Sequence, residues 1–265
     1  MGDILIPFSS GLDSTYLVHD RVSRGFSVKT VYFKISNNED KSRIEDIHRS
    51  YLIEKLQDKH PGKIEDYDKV INVYVSVSYD PAITLSQPPI WMLGLAFSPI
   101  VEGVDVIEMA YVMNDDAMSY MEEIRTLFKA YQPFCTNSTL PKIEYPLSKF
   151  QKETIHQQLP VEYRDYTWTC ENPIIDAEND KVFTYHECGT CHSCKRSAFH
   201  DLGVGKKFTY NKITKYLKRI YNVCGDEMGV EDCGEESIAP LKKAPKSNKN
   251  SSKAKPGPTS RKIKR

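Results

Sequence analysis

Residues Phe8, Ser9, Ser10, Gly11, Leu12, Asp13, Ser14 and Thr15 place four hydroxyls, one glycine and one acid directly after an apolar run, Asp3 to Phe8. That run has the length of a buried strand, and the chain from Asp13 to Ser23 reads as a helix. The first N–H groups of a helix lack intrahelical partners and carry a partial positive charge, so such a junction suits a phosphate. Ser9, Ser10 and Gly11 are small enough for the backbone to wrap an anion, while Ser14 and Thr15 add hydroxyl donors. Asp13 would repel a phosphate unless a magnesium ion bridged the two, which points to a nucleotide–metal site. An ordinary N-cap accounts for the same residues equally well, since Asp and Ser favour that position and Gly permits the turn.

A second cluster has metal-ligand spacing. Cys188, Cys191 and Cys194 follow C-x2-C-x2-C, and Cys170 in "TWTC" offers a fourth thiolate. Four thiolates close a tetrahedral zinc site and leave no position for water, so the metal would be structural. An iron–sulfur cluster uses the same ligand set, and three buried free thiols are the non-metal alternative. His186 and His192 lie close by but would be surplus to a complete four-cysteine sphere.

Both clusters carry a resemblance. "SSGLDST" after a first strand is similar to the SGGxDS pyrophosphate-binding loop of the PP-loop ATP pyrophosphatases, with Ser10 standing where that family has its first glycine. "TWTC" followed by "ECGTCHSCKRSAFHDLG" resembles the C-terminal zinc segment of the 7-cyano-7-deazaguanine synthase family, at Thr167, Trp168, Cys170, Cys188, Gly189, Cys191, Cys194, Arg196, Ala198, Phe199 and Gly203. Between them, "YPLSKFQKETI" looks like that family's P-L-x-x-L-x-K-x-E-I stretch, matching at Pro146, Leu147, Lys152 and Ile155, with Thr154 in place of the acid.

The elements that would position these residues alternate. Strand-like runs at Ser27 to Phe33, Val70 to Val77, Val104 to Val112 and Ile143 to Leu147 are separated by helical patterns at Glu39 to Lys59, Ile90 to Val101, Ala117 to Tyr131 and Ser148 to Leu159. Strands joined by helix-length connections favour a parallel sheet covered on both faces. The expectation is therefore an α/β doubly wound parallel sheet of PP-loop type with a small zinc-binding C-terminal subdomain. Residues 1–165 would form the ATP pyrophosphatase domain and 166–235 a loop-rich metal subdomain ending in a helix at Asn211 to Tyr221. Residues 236–265 would form a disordered tail, because that stretch is Lys-, Pro- and Ser-rich with little apolar surface to bury.

Lys plus Arg equals Asp plus Glu at 36 each, but ten of the basic residues and no acid fall between Pro240 and Arg265. The preceding chain is thus about ten charges negative. The basic tail could touch nucleic acid non-specifically, although such termini also solubilise or localise a chain. No apolar run is long enough to span a bilayer, and the start lacks a signal peptide's basic n-region and cleavage site. Together with metal-like rather than disulfide-like cysteines, this gives a cytoplasmic expectation.

The resemblance implies an ATP-dependent ligase that adenylates 7-carboxy-7-deazaguanine, uses ammonia to form the amide, and dehydrates it to 7-cyano-7-deazaguanine with release of AMP and pyrophosphate. ATP with magnesium would be the co-substrate and zinc the structural metal, and a homodimer is compatible. Residues 8 to 15 would grip phosphate, Asp13 would face magnesium, and Lys152 would neutralise phosphate unless it is simply a solvated helix lysine. The middle of the chain departs from the family: "SQPPIW", Ser86 to Trp91, replaces a P-x-R-N stretch, and Ala110 with no arginine replaces the glycine and Y-P-D-C-R-like loop after the fourth strand. Asp115 and Asp116 there read as a helix cap. These differences fall on substrate recognition and leave open an amide-only product, modification of tRNA or protein, or a non-catalytic ATP-binding scaffold.

Overall fold

The computed structural model describes residues 3–35, 38–73, 87–113, 115–135, 140–203 and 205–220. All lie within one compact unit, Met1–Val223; the basic tail falls outside the described residues. No helix among the described residues is long and apolar enough to cross a membrane.

Five parallel strands form the central sheet: β1 (Asp3–Pro7), β2 (Val28–Ile35), β3 (Ile64–Val73), β4 (Val104–Glu108) and β5 (Lys142–Glu144), in the order β3-β2-β1-β4-β5. Side chains of a strand alternate between faces, and here the alternation feeds two cores. Ile4 and Ile6 of β1 pack with Leu17 and Val18 of α1 (Leu12–Ser23), Leu52 and Leu56 of α2 (Glu39–Lys59), and Ile155 of α5 (Lys152–Gln158). Leu5 of the same strand, with Val31 and Phe33 of β2, faces Met92 and Leu95 of α3 (Gln87–Ala96) and Phe128 of α4 (Met121–Ala130). Both faces of the sheet are thus covered, which is the doubly wound α/β class expected from the sequence.

Boundaries differ where the chain bends. The strand expected at Val70 to Val77 begins earlier, at Ile64, and residues 74–77 lie outside the described set. The helix expected over Ile90 to Val101 starts at Gln87, with Pro88 and Pro89 in its first turn. It stops at Ala96, where Ser98 caps a separate 3-10 turn, Pro99–Val101. Gly94 lets α3 meet β2 closely, since a Cβ there would lie 2.6 Å from the Phe33 ring. Residues 117 to 131 divide into a 3-10 turn, Asp116–Tyr120, and α4.

The larger correction is C-terminal. After the short helix α6 (Val161–Arg164), the region expected to be loop-rich folds as a four-stranded antiparallel sheet: β6 (Ile174–Glu178), β7 (Val182–His186), β8 (Lys207–Asn211) and β9 (Tyr216–Ile220), with α7 (His192–Phe199) between β7 and β8. The helix expected at Asn211 to Tyr221 is instead the β8–β9 hairpin. Asn211 Oδ1 accepts from the N–H groups of Ile213 and Thr214 at 2.9 and 3.0 Å, and Lys215 takes a left-handed φ of 53°, so the chain reverses there. Phe208 and Leu217 then face one core with Trp168, Phe183, Tyr185 and three of the cysteines. Ile44 of α2 enters the same core and joins the second sheet to the first.

Candidate functional site

β1 and β4 are neighbours, yet the chain leaves them in opposite directions, β1 toward β2 and β4 toward β5. A cleft opens at such a switch point, beyond the carboxyl ends of the strands. A cavity of about 1110 Å³ lies there, with the Ser9–Ser14 loop on one wall and Ala110 and Tyr111, just past β4, on another.

Gly11 holds the N-cap position of α1 with an extended backbone, φ −66° and ψ 160°. Its lack of a side chain matters for space: a Cβ would stand 3.5 Å from Ser9 Oγ and 3.9 Å from Ser14 Oγ, filling the cradle between those hydroxyls. Ser14 Oγ and Thr15 Oγ1 donate to the Gly11 carbonyl at 3.2 and 2.8 Å. Ser10 is fully buried with a left-handed φ of 62°, a conformation that favours glycine. Its hydroxyl, expected to face phosphate, turns inward and donates to the Ser9 carbonyl and, at 3.4 Å, to the Glu45 carbonyl on α2.

Asp13 and Lys152, 139 residues apart in sequence, meet between α1 and α5. Lys152 Nζ donates to Asp13 Oδ2 at 2.8 Å, and Lys152 is only 5 % exposed. It is therefore not a solvated helix lysine. Asp13 Oδ1 is buried with no hydrogen-bond partner among the described residues. Burial pushes the Asp13 carboxyl above its ordinary value; Lys152 pulls it down, Asp115 pushes it up, and the net shift is upward. A buried acceptor left unpaired costs about 1–3 kcal/mol, and a divalent cation takes up just such a carboxylate oxygen. The chain thus fits magnesium with phosphate: Asp13 Oδ1 would hold the ion, and the Ser9–Ser14 cradle and Lys152 would hold the anion. Bound there, magnesium would supply charge neutralisation to phosphate oxygens.

Asp115 occupies the position before the 3-10 turn, but its side chain caps nothing in it. Oδ2 accepts from the Val112 N–H at 3.0 Å and Oδ1 from Arg196 Nη1 at 2.8 Å. Arg196, on α7, brings a cation into the cleft from the cysteine segment. Sequence reasoning marked the missing arginines near Trp91 and Ala110 and did not find this pair. Only the match of Arg196 to the resembled motif hinted at it.

The "TWTC" segment ties the two sequence clusters together. The Trp168 N–H donates to the Ser10 carbonyl at 3.0 Å, and Trp168 Nε1 donates to the Cys170 carbonyl at 3.1 Å. His48 of α2 stacks on Trp168, donates from Nδ1 to the Tyr166 carbonyl at 2.6 Å and accepts at Nε2 from the Tyr185 hydroxyl at 3.0 Å. Complete burial drives the His48 pKa down to about 3, so the ring is neutral.

Cys170, Cys188, Cys191 and Cys194 place their sulfurs within 4.8 Å of one another and can hold a metal ion. Backbone N–H groups point at them: Cys188 toward Cys170 Sγ at 3.3 Å, Thr190 and Cys191 toward Cys188 Sγ at 3.4 and 3.3 Å, and Cys194 toward Cys191 Sγ at 3.4 Å. Burial pushes the Cys170 and Cys194 thiols up, whereas at Cys188 the bonds from Thr190 and Cys191 outweigh burial and bring it to about 6. N–H donors of this kind stabilise thiolate, the form that ligates metal. His186 instead pairs with Asp176, at 3.0 Å. Cys135 is remote from the group and donates to the Tyr131 carbonyl.

No family model matches the chain, and no curated protein matches it. Among solved structures the chain is similar to the U34-tRNA thiolase NcsA from Methanococcus maripaludis with its [4Fe-4S] cluster, at 14 % identity and a TM-score of 0.41. That alignment covers 76 % of this chain and 64 % of the thiolase, so the chain spans under two thirds of that protein's length.

Proposed function

We propose that the chain is a PP-loop enzyme that activates a carboxylate with ATP and passes it to ammonia, with 7-carboxy-7-deazaguanine as the acid. One observation carries this reading: at the N-terminus of α1, Asp13 gives one oxygen to buried Lys152 and keeps the other unpartnered. A cap needs neither feature, whereas a site for a magnesium nucleotide uses both; release of AMP is what separates an enzyme from an ATP-binding scaffold.

The carboxylate oxygen attacks the α-phosphorus, the bond to the bridging oxygen breaks, and pyrophosphate leaves. Ammonia then adds to the acyl-adenylate carbonyl, AMP departs, and a proton is released. The amide oxygen then attacks the α-phosphorus of a second ATP, pyrophosphate leaves, and loss of AMP and of both amide protons gives the nitrile. In this reading Lys152 would neutralise charge on the phosphates, and the α1 N–H groups would bind the pyrophosphate oxygens.

Zinc is the metal proposed for the cysteines. A single zinc with bonds of about 2.3 Å spaces its thiolates roughly 3.8 Å apart, and four sulfurs all within 4.8 Å fit that spacing. An iron–sulfur cube spreads its thiolates over the outer corners of a larger body.

Purified protein with ATP, magnesium, ammonia and 7-carboxy-7-deazaguanine should release AMP and pyrophosphate, with mass detection resolving amide from nitrile. ADP and phosphate, or no turnover across several deazaguanine acids, would overturn the reading. Metal analysis should find about one zinc per chain. Iron with inorganic sulfide in its place would favour sulfur transfer to tRNA instead.

A further inference from the structure

Two polar atoms of residues that line the same cleft, Trp91 Nε1 and the Tyr111 hydroxyl, are also buried with no hydrogen-bond partner among the described residues. Buried polar groups are almost always paired in native proteins, so two unpaired donors beside one cleft call for an explanation. Packing holds both rings in place. Trp91 is 7 % exposed and packs against Phe33 at 6.5 Å between centroids, and Gly94 holds α3 against that same ring. Tyr111 stacks on Tyr145 at 6.2 Å and 22°. Tyr145 is fixed in turn by its hydroxyl donating to the Met121 carbonyl at 3.2 Å and by the Arg125 guanidinium 4.9 Å over its ring.

We propose that Trp91 and Tyr111 form the subsite for the ring of the acceptor substrate and select a flat, uncharged heterocycle that presents hydrogen-bond acceptors, such as a lactam carbonyl and a ring nitrogen. The inference rests on the adenylation reading for the existence of an acceptor, and adds which residues recognise it. An indole N–H only donates, and burial keeps the Tyr111 phenol protonated, so it too has a proton to give. The cations that touch the cleft, Lys41, Lys152 and Arg196, are paired with Glu171, Asp13 and Asp115, so the charged parts of the ligands belong with them. The aromatic wall then offers ring contact and two neutral donors. A cavity of about 1110 Å³ is at the upper end for a small-molecule site and has room for a nucleotide and a second ring.

Tyr111→Phe keeps its ring and removes only the donor, whereas Trp91→Phe removes the donor together with the five-membered half of the indole. Calorimetric titration with 7-carboxy-7-deazaguanine, with guanine, and with a deazapurine lacking the ring carbonyl should show tight binding of the first two only. Each variant should weaken that binding by about tenfold or more, the loss expected for one buried hydrogen bond, with the ATP dissociation constant unchanged and, in Tyr111→Phe, no fall in melting temperature. Unaltered affinity in both variants, equal binding of the carbonyl-free ring, or no binding of any probe by the wild type would overturn the subsite. Binding that responds to both variants while no AMP forms would refute adenylation and leave the subsite standing. AMP formation with unchanged acceptor KM in both variants would do the reverse.

Discussion

The phosphate loop and the cysteine cluster are built alike and finished differently. Each is a tight turn at the start of a helix, Gly11 opening α1 and Cys191 opening α7, and each contains one left-handed residue, Ser10 at φ 62° and Gly189 at φ 71°. In the cluster, Cys170, Cys188 and Cys191 each take a backbone N–H onto sulfur, and the four thiols converge on one point. In the loop, the acid keeps an oxygen with no partner, facing a cleft. A closed donor set holds an ion permanently; an unfinished one can take and release a ligand. On the proposed function the contrast is between a part that shapes and a part that reacts, and removing pieces of each should have different consequences.

The largest effect should come from the closed site. Structural zinc supplies about 10–16 kcal/mol to small metal domains, comparable to the whole stability of a typical fold. Cys191→Ser should abolish metal binding, and the core around Trp168, Tyr185 and Phe208 should lose cooperative unfolding in calorimetry. Because Trp168 holds the Ser10 carbonyl, ATP affinity should fall as well. A variant with unchanged zinc content would refute the ligand assignment, and full ATP affinity without zinc would show the two regions to be independent.

The open site should lose activity more than stability. Lys152→Met leaves Asp13 buried and unpaired, costing about 3–5 kcal/mol of stability and 10²–10³-fold in rate. Adding Asp13→Asn should restore most of the stability, because the buried charge is gone, while activity stays lost. Recovery of both would make the pair structural, and the contrast with the cysteine cluster would fail.

How much of this was legible follows from the range of the interactions. The loop, the cysteine spacing and the alternation of β1 to β5 are local patterns, and the sheet arose largely as they suggested. Tyr216–Ile220 reads locally as helix and became strand because Phe208 and Leu217 had a shared core to fill, which no local pattern states. The Asp13–Lys152 pair joins positions that the motifs name separately, and its buried geometry needs α1 and α5 side by side. Trp91 and Tyr111 were not singled out in the sequence, where their neighbourhoods stood out only for missing arginines, because an unpaired donor is visible only once its surroundings are folded.

A third consequence concerns pH and falls on the link between the regions. His48 would titrate near 6.5 in the unfolded chain and near 3 when folded. Between those values the unfolded state binds the extra proton, so stability is lost as pH falls from about 6.5, by up to about 1.4 kcal/mol per unit. Chemical denaturation of the zinc-loaded wild type and His48→Gln over pH 5 to 7 should show the steeper slope in the wild type. Parallel slopes would remove His48 from the link between α2 and the "TWTC" segment.

The smallest effect tests the likeness of the two turns itself. A left-handed backbone costs a side-chain-bearing residue about 1–2 kcal/mol, and glycine nothing. Gly189→Ser should therefore lower the cluster's stability by about that amount, since the cysteine turn already has the residue its geometry favours. Ser10→Gly relieves the same strain but removes the bonds to the Ser9 and Glu45 carbonyls and frees the unfolded chain. The net should be within about 1 kcal/mol of zero, whereas Ser10→Ala keeps the strain, loses the bonds, and should be the less stable of the two. If Ser10→Gly leaves the melting temperature unchanged yet weakens ATP binding, the serine serves to hold α2 against the loop. If it leaves both unchanged, the hydroxyl has no role, and the loop tolerates serine only because Trp168 holds its carbonyl from the far side.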